Sequence, residues 1–258
     1  MSFADVWQYG FFADLLDSSL SYVLLFHLIC GVISYLLGSI NCGVLISRVY
    51  GKDIRSVGSG NAGATNMTRT FGKKAGALTF IGDFLKASVA MFICRLLMGI
   101  IGAYIGGIFC ILGHAYPIYF KFKGGKGVVC IAAMGLFTNP IVLAIMLAVF
   151  AIILFGFKMV SLASIMTMII YPMVLSNVEG VGIRVIYAIF AAFLVVFLHR
   201  KNIVRIYNHT ESKISLGKKK KDSKEVKEEA AAQSDEDTLS EENDSSKAKE
   251  KNDEECSE

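Results

Sequence analysis

Long apolar stretches separated by short polar ones organise this chain. Residues 20–47, 75–95, 96–119, 139–157, 160–177 and 182–198 each lie close to the ~20 residues that a membrane-spanning helix requires. A seventh run, 128–138, is shorter and precedes Asn139-Pro140, a turn signal. The intervals at 48–74 and 121–127, and the stretch from residue 199 onward, are polar and basic. The pattern predicts an all-α integral membrane protein. It would be a seven-transmembrane-helix bundle within residues 19–216, preceded by an N-terminal segment at 1–18 and followed by a charged tail at 217–258.

Composition agrees: of 258 residues, 54% are hydrophobic, with a mean hydropathy of +0.53. The net charge of +4 hides an asymmetry. Residues 1–221 carry 21 Lys/Arg against 7 Asp/Glu, and residues 222–258 carry 5 Lys against 15 Asp/Glu. The tail has almost no large apolar residues to offset ordering entropy, so it is expected to be disordered. Lys218–Lys221 could touch anionic headgroups or simply mark the cytosolic side. Placing the three basic intervals in the cytosol requires an N-terminus outside and a C-terminus inside. Seven crossings satisfy that parity, and five would also. The first 18 residues carry acids rather than a basic stretch, so no cleavable signal peptide is expected and the segment is read as extracytosolic.

The six cysteines form no CxxC pair, and five lie in or beside apolar runs, as small hydrophobes. Neither a disulfide framework nor a metal site is expected.

The interval 53–76 has a different chemistry. It contains Gly58-Ser59-Gly60-Asn61-Ala62-Gly63-Ala64-Thr65-Asn66, flanked by Arg55 and Arg69. Small residues let backbone N–H groups approach an anion, while Ser, Thr and Asn add donors and Arg adds charge. Gly58-x-Gly60-x-x-Gly63 matches a dinucleotide fingerprint, but no strand precedes it, and no GK[ST] closes a Walker loop. The bland alternative is a flexible linker. A second interval, Lys121-Phe122-Lys123-Gly124-Gly125-Lys126-Gly127, combines glycines with lysines where a helix begins, so its N-terminal dipole would add to anion affinity. His199 and Asn202 are three apart and share a helix face. Asp83 and Lys86 form an intramembrane pair, either functional or structural. Gly102-x-x-x-Gly106 and Gly113 read as helix packing, and His27 and His114 as interior histidines.

These residues resemble the bacterial membrane acyl-phosphate:glycerol-3-phosphate acyltransferases, the PlsY family. The likeness rests on Gly38-Ser39-Ile40, Arg55, Val57-Gly58-Ser59-Gly60-Asn61, Gly63-x-Thr65-Asn66, Arg69 and Phe71-Gly72-Lys73. It continues through Asp83, Lys86, His114, Pro117, Phe122 to Gly127, His199-Arg200-x-Asn202-Ile203 and Thr210-Glu211-x-Lys213. Three departures concern loop geometry. Asn41 stands where the family usually has Pro, Ala87 where it has Gly, and His209 where it often has Gly.

The resemblance implies a seven-helix bundle in the bacterial cytoplasmic membrane with a cytosolic active site. It implies acyl transfer from a long-chain acyl phosphate to the 1-hydroxyl of glycerol 3-phosphate, giving lysophosphatidic acid. It also implies no cofactor and no nucleic-acid partner, and leaves room for contact with the enzyme that makes the acyl phosphate. The His-x4-Asp motif common in thioester-using acyltransferases is absent. On this reading Ser39, Arg55, His199 and Asn202 are catalytic, with His199 either a base or a positioning group. Ser59, Asn61, Thr65, Asn66, Lys123, Gly124, Gly125, Lys126 and Gly127 bind substrate, and Asp83, Lys86, Arg69 and Glu211 support. A transporter of a phosphorylated metabolite would explain the basic loops too. It would place polar sites at the midplane within inverted repeats, and no convincing repeat is present.

Overall fold

Backbone polar groups inside hydrocarbon must be bonded within the chain, and the apolar runs meet that demand as helices. A computed structural model describes residues 2–214. Its helices are α1 Phe3–Tyr9, α2 Ala13–Ser18, α3 Leu20–Ser39, α4 Cys42–Val49, α5 Ala64–Phe71, α6 Lys73–Ala115, α7 Val128–Thr138, α8 Pro140–Phe157, α9 Val160–Glu179, α10 Ile183–Leu198 and α11 Arg200–Tyr207. Four helical stretches are long and apolar enough to cross a bilayer: Leu20–Val49, Lys73–Phe120, Pro140–Phe157 and Val160–Glu179. The pair α10 and α11, bent by 59°, makes a fifth, and α7 is shorter. The tail expected at 217–258 lies outside the described residues.

The 43 residues of α6 would reach roughly 65 Å if straight, about twice the hydrocarbon thickness. They do not run straight. Met98 and Gly99 leave helical geometry, with Gly99 at φ 61° and ψ −149°, a region that disfavours any side chain. A Cβ on Gly102 would strike the Cys94 carbonyl, and one on Gly106 would lie 3.1 Å from the Cys94 side chain. Residues eight and twelve apart touch only in a hairpin. So α6 is two antiparallel arms, 73–97 and 100–115, and the Gly102/Gly106 pair is where they pack. The sequence pattern divides this region at 95/96, and the break falls three residues later.

The first apolar run is likewise not one helix. It stops at Ser39, and Asn41 restarts the chain as the N-cap of α4, its side chain accepting from the Val44 N–H at 3.0 Å. The polar interval 48–74, read as loop, is partly helical, since α5 occupies Ala64–Phe71. Met67 turns inward against Val44, Ile54, Ala62, Ala75 and Phe120, which is why this short polar stretch is ordered as helix.

The N-terminal segment forms α1 and α2 against the hairpin tip. Phe11 donates its N–H to the Leu96 carbonyl at 2.8 Å. Arg95 stacks on Trp7 at 4.2 Å and donates to the Trp7 and Phe137 carbonyls, which satisfies a cation that has no carboxylate partner among the described residues. The main apolar core joins the second arm of α6 with α7, α9 and α10 through Tyr104, Ile111, Met134, Tyr171 and Val195.

Gly102→Val should strain the hairpin by about 1–3 kcal/mol, the usual penalty of overpacking. A thermal melt in detergent is expected to shift down, and an unchanged midpoint would mean that the two arms do not pack as described.

Candidate active site

The first glycine-rich interval is held by Asn66. Its amide donates to the Val57 carbonyl at 3.1 Å and the Asn61 carbonyl at 3.0 Å, and its oxygen accepts from the Ser59 N–H at 3.0 Å. Gly58 is small because Asn66 fills the space a side chain would need. Asn66 thus staples the loop from within, a different task from the substrate contact expected of it. Arg55 is also committed. Its guanidinium grips Asp53 at 2.6 to 3.0 Å and donates to the Phe120 carbonyl at 2.7 Å, tying this loop to the second one. The same hydrogen bonds hold the Asp53 carboxyl below its ordinary pKa.

In the second loop the glycine N–H groups do not cradle an anion. Gly124 donates to the Ala115 carbonyl at 3.1 Å and Gly125 to the His114 carbonyl at 3.0 Å. Side chains at either position would collide with the end of α6. Gly127 caps α7 at φ 76°, also against Ile111. The N–H groups left without intrahelical partners are those at the start of α7.

At the third stretch His199 sits in the bend between α10 and α11. Its Nδ1 lies 2.8 Å from the Val195 carbonyl. A carbonyl only accepts, so Nδ1 carries the proton and Nε2 holds a lone pair. Burial, with Lys126 nearby, pushes the His199 pKa down to about 4, so the ring is neutral at pH 7. Asn202 accepts from Lys126 and donates to the Ser161 hydroxyl at 2.7 Å and the Glu211 carboxylate at 2.8 Å. Burial works against the Glu211 carboxylate, yet hydrogen bonds from Ser161, Arg205 and Asn202 keep its pKa below the ordinary value.

These segments meet around a cavity of about 600 Å³. Of the residues singled out by sequence, it gathers Ser59, Asn61, Thr65, Asn66, Lys126, Gly127, His199 and Asn202, with Asp83, Arg69 and Glu211. Gly124 lines an adjoining hollow of about 200 Å³. Ser39, Arg55, Lys123, Gly125 and Lys86 do not line the cavity. Ser39 is fully buried, donates to the Tyr35 carbonyl at 2.8 Å and accepts from the Ile118 N–H at 3.4 Å, so it fastens the end of α3 to the chain after α6. Lys123 is exposed. Sequence reasoning missed Ser161, Ser164, His114 and Arg205 as lining residues. Ser161 sits at the start of an apolar helix with nothing to mark it, and its hydrogen bonds with Glu211 at 2.6 Å and Asn202 at 2.7 Å show its place.

Two helix N-termini open on this cavity, α5 through Gly63, Ala64 and Thr65, and α7 through Gly127, Val128 and Val129. Each contributes a partial positive charge. Asp83 is neutralised by Lys86 at 2.8 Å and Glu211 by Arg205 at 2.7 Å, which leaves Arg69 and Lys126 without a carboxylate partner among the described residues. Phe80, Phe150, Val128, Val129 and Val160 supply an apolar wall. The cavity suits an anion attached to an apolar body. Among the described residues no three His, Cys, Asp or Glu side chains converge.

A family profile described as glycerol-3-phosphate acyltransferase matches residues 28–209. The chain belongs to the glycerol-3-phosphate acyltransferase family. A relative of that name from Geotalea daltonii is 41% identical, covering 69% of this chain and 93% of its own. One from Clostridioides difficile is 39% identical, covering 75% and 97%. The crystal structure of PlsY (YgiH), an integral membrane glycerol 3-phosphate acyltransferase, in its glycerol 3-phosphate form, superposes with a TM-score of 0.69 at 37% identity. It covers 73% of this chain and 96% of its own. The lysophosphatidic acid form of the same enzyme gives 0.67 at 36%.

As a member of this acyltransferase family, the chain absorbs its departures locally. Asn41 caps α4, Ala87 is buried within α6, and His209 sits at φ 57°, the left-handed conformation that explains a glycine elsewhere.

Burial, with Arg205 and Arg69 adding repulsion, pushes the Lys126 pKa down to about 8. The ammonium is therefore present below pH 8 and lost above it. Affinity for a phosphate monoester, measured by calorimetry across pH 6.5–9.5, should weaken as pH rises through about 8. Lys126→Arg should flatten that decline, because guanidinium stays charged.

Proposed function

We propose that this acyltransferase moves a fatty acyl group from acyl phosphate to the 1-hydroxyl of glycerol 3-phosphate, giving lysophosphatidic acid and inorganic phosphate. The observation that carries this reading is the convergence of the α5 and α7 N-termini with Arg69 and Lys126 on one cavity that also has an apolar wall. The glycerol 3-phosphate and lysophosphatidic acid forms of the similar PlsY structure support the acceptor and the product. The donor is the one that the resemblance to the PlsY family implies, and its chemistry fits the pocket. An acyl phosphate is an activated anhydride with an anionic head and an apolar tail, and it needs no covalent nucleophile from the protein.

Orientation of two bound substrates can supply about 7–11 kcal/mol of the barrier. Lys126, His199 and Asn202, braced by Ser161 and Glu211, would hold glycerol 3-phosphate. Ser59, Asn61, Thr65 and the α5 N-terminus would hold the acyl-phosphate head and the developing oxyanion. Ser39, Arg55, Gly124 and Gly125 would shape the loops, and Lys123 would attract anions from outside. The hydroxyl oxygen bonds to the acyl carbon, the carbon–oxygen bond to phosphate breaks, and the hydroxyl proton passes to a phosphate oxygen. A phosphate with a second pKa near ~6 is a stronger base than a histidine held near 4, so His199 positions the acceptor through its Nε2 lone pair. We infer seven crossings of the bacterial cytoplasmic membrane, with both arms of α6 and α7 each counted as one. The cavity then faces the cytosol, where basic loops favour it.

Purified protein given labelled glycerol 3-phosphate should transfer label into lipid with palmitoyl phosphate and not with palmitoyl-CoA. Label from the thioester alone would overturn the donor, and label from neither would overturn the reaction. His199→Gln should turn over well above His199→Ala, and equal inactivity of the two would restore His199 as the base.

A further inference from the structure

His114 lies outside the roles assigned above, yet it lines the cavity and is 4% exposed. Its surroundings fix which of its nitrogens bears the proton. Lys86 is buried, and its Nζ lies 2.8 Å from Asp83 Oδ1, 2.5 Å from the Ile40 carbonyl and 3.1 Å from His114 Nδ1. An ammonium has three hydrogens and no lone pair. Three acceptors around it use all three hydrogens, so His114 Nδ1 is an acceptor and the proton sits on Nε2. That Nε2–H has no hydrogen-bond partner among the described residues. Asp83 Oδ1 is 3.7 Å from Nδ1, on the ring's other side from Nε2. A Cβ at Gly125 would stand 2.0 Å from Nε2, so the absent side chain leaves space in front of that nitrogen. Nε2–H is thus left facing the space that a side chain at 125 would fill, and His114 itself lines the cavity.

We propose that His114 contacts substrate as a neutral hydrogen-bond donor, giving its Nε2–H to an oxygen of the acyl-phosphate head. The cavity then holds two histidines of opposite tautomer. His199 offers a lone pair because a helix carbonyl takes its Nδ1 proton, and His114 offers a proton because an ammonium occupies its Nδ1. The acyl-phosphate head is favoured over glycerol 3-phosphate by position. The Asp83–Lys86–His114 group touches the α3–α4 junction at Ile40 and Cys42, beside the glycine loop, whereas Asn202 and Glu211 lie on the α9–α11 side. This inference rests on the proposed donor.

The test compares His114→Gln, His114→Asn and His114→Ala in steady-state kinetics with palmitoyl phosphate and glycerol 3-phosphate. A Gln amide sits near the place of Nε2 and an Asn amide near that of Nδ1. The Ala and Asn variants should raise KM for palmitoyl phosphate roughly tenfold or more, as loss of a hydrogen bond to a charged group predicts. KM for glycerol 3-phosphate should stay within about threefold, and Gln should recover most of the loss. Gly125→Ala, whose Cβ would stand 2.0 Å from Nε2 and displace the ring, should raise the same KM. A KM for palmitoyl phosphate unchanged in every variant, equal rescue by Asn, or parallel changes in both KM values would overturn the donor role. If His114→Ala does not fold in a thermal melt, the contrast between His114→Gln and His114→Asn decides. Wild-type turnover of palmitoyl phosphate is the control, and its absence would overturn the proposed donor itself.

Discussion

The ammonium of Lys86 joins segments that are far apart in the chain. It reaches the end of α3 at Ile40, Asp83 on its own arm of α6, and His114 on the returning arm. A charge in that position is tolerated only when fully paired, and removing one member of such a group costs about 3–5 kcal/mol. Around it the structure is consistent. The break at Ile40 frees a carbonyl for it, the hairpin at Gly99 brings His114 back to it, and Gly124 and Gly125 pack on the end of α6 that it fixes. The loop that delivers Lys126 to the cavity is thus held from below by a buried ion pair.

The cavity owes its preference for anions less to loop glycines than to helix ends. Gly124 and Gly125 spend their N–H groups on the last carbonyls of α6, and Gly58 makes room for Asn66. These glycines permit close packing. The donors that remain come from the first turns of α5 and α7, where no intrahelical acceptor exists. Carboxylates at the same site are cancelled by neighbours, so Arg69 and Lys126 set the sign of the field. Partial burial sharpens this, because the desolvated Lys126 is more readily satisfied by a bound anion than by water.

The motif positions were legible because phosphate chemistry needs few residue types, and most of the polar loop residues named from sequence do line the cavity. Arg55 illustrates the limit. Its charge suggests substrate, but Asp53, two residues away, takes the guanidinium in a bidentate grip that no loop composition reveals. Ser161 illustrates the converse, an unmarked hydroxyl in an apolar helix that becomes part of the polar network only when α11 and Glu211 fold over it. Helix α5 was hidden because its sequence is polar and glycine-flanked, and its order comes from Met67 and Phe71 packing on residues outside it.

By itself the sequence determined that this is a helical membrane protein with anion-binding loops. Hydrocarbon permits few backbone solutions, and phosphate groups demand small residues, hydroxyls and cations, so both leave local marks. The tertiary structure decided which donors stay free and which are consumed. It placed the break in α6 at Gly99 and turned Asn66 and Arg55 inward. It also gave His199 and His114 opposite tautomers, since a proton's place on imidazole is set by whatever faces the other nitrogen. For His199 that is a carbonyl four residues back, and for His114 an ammonium 28 residues away.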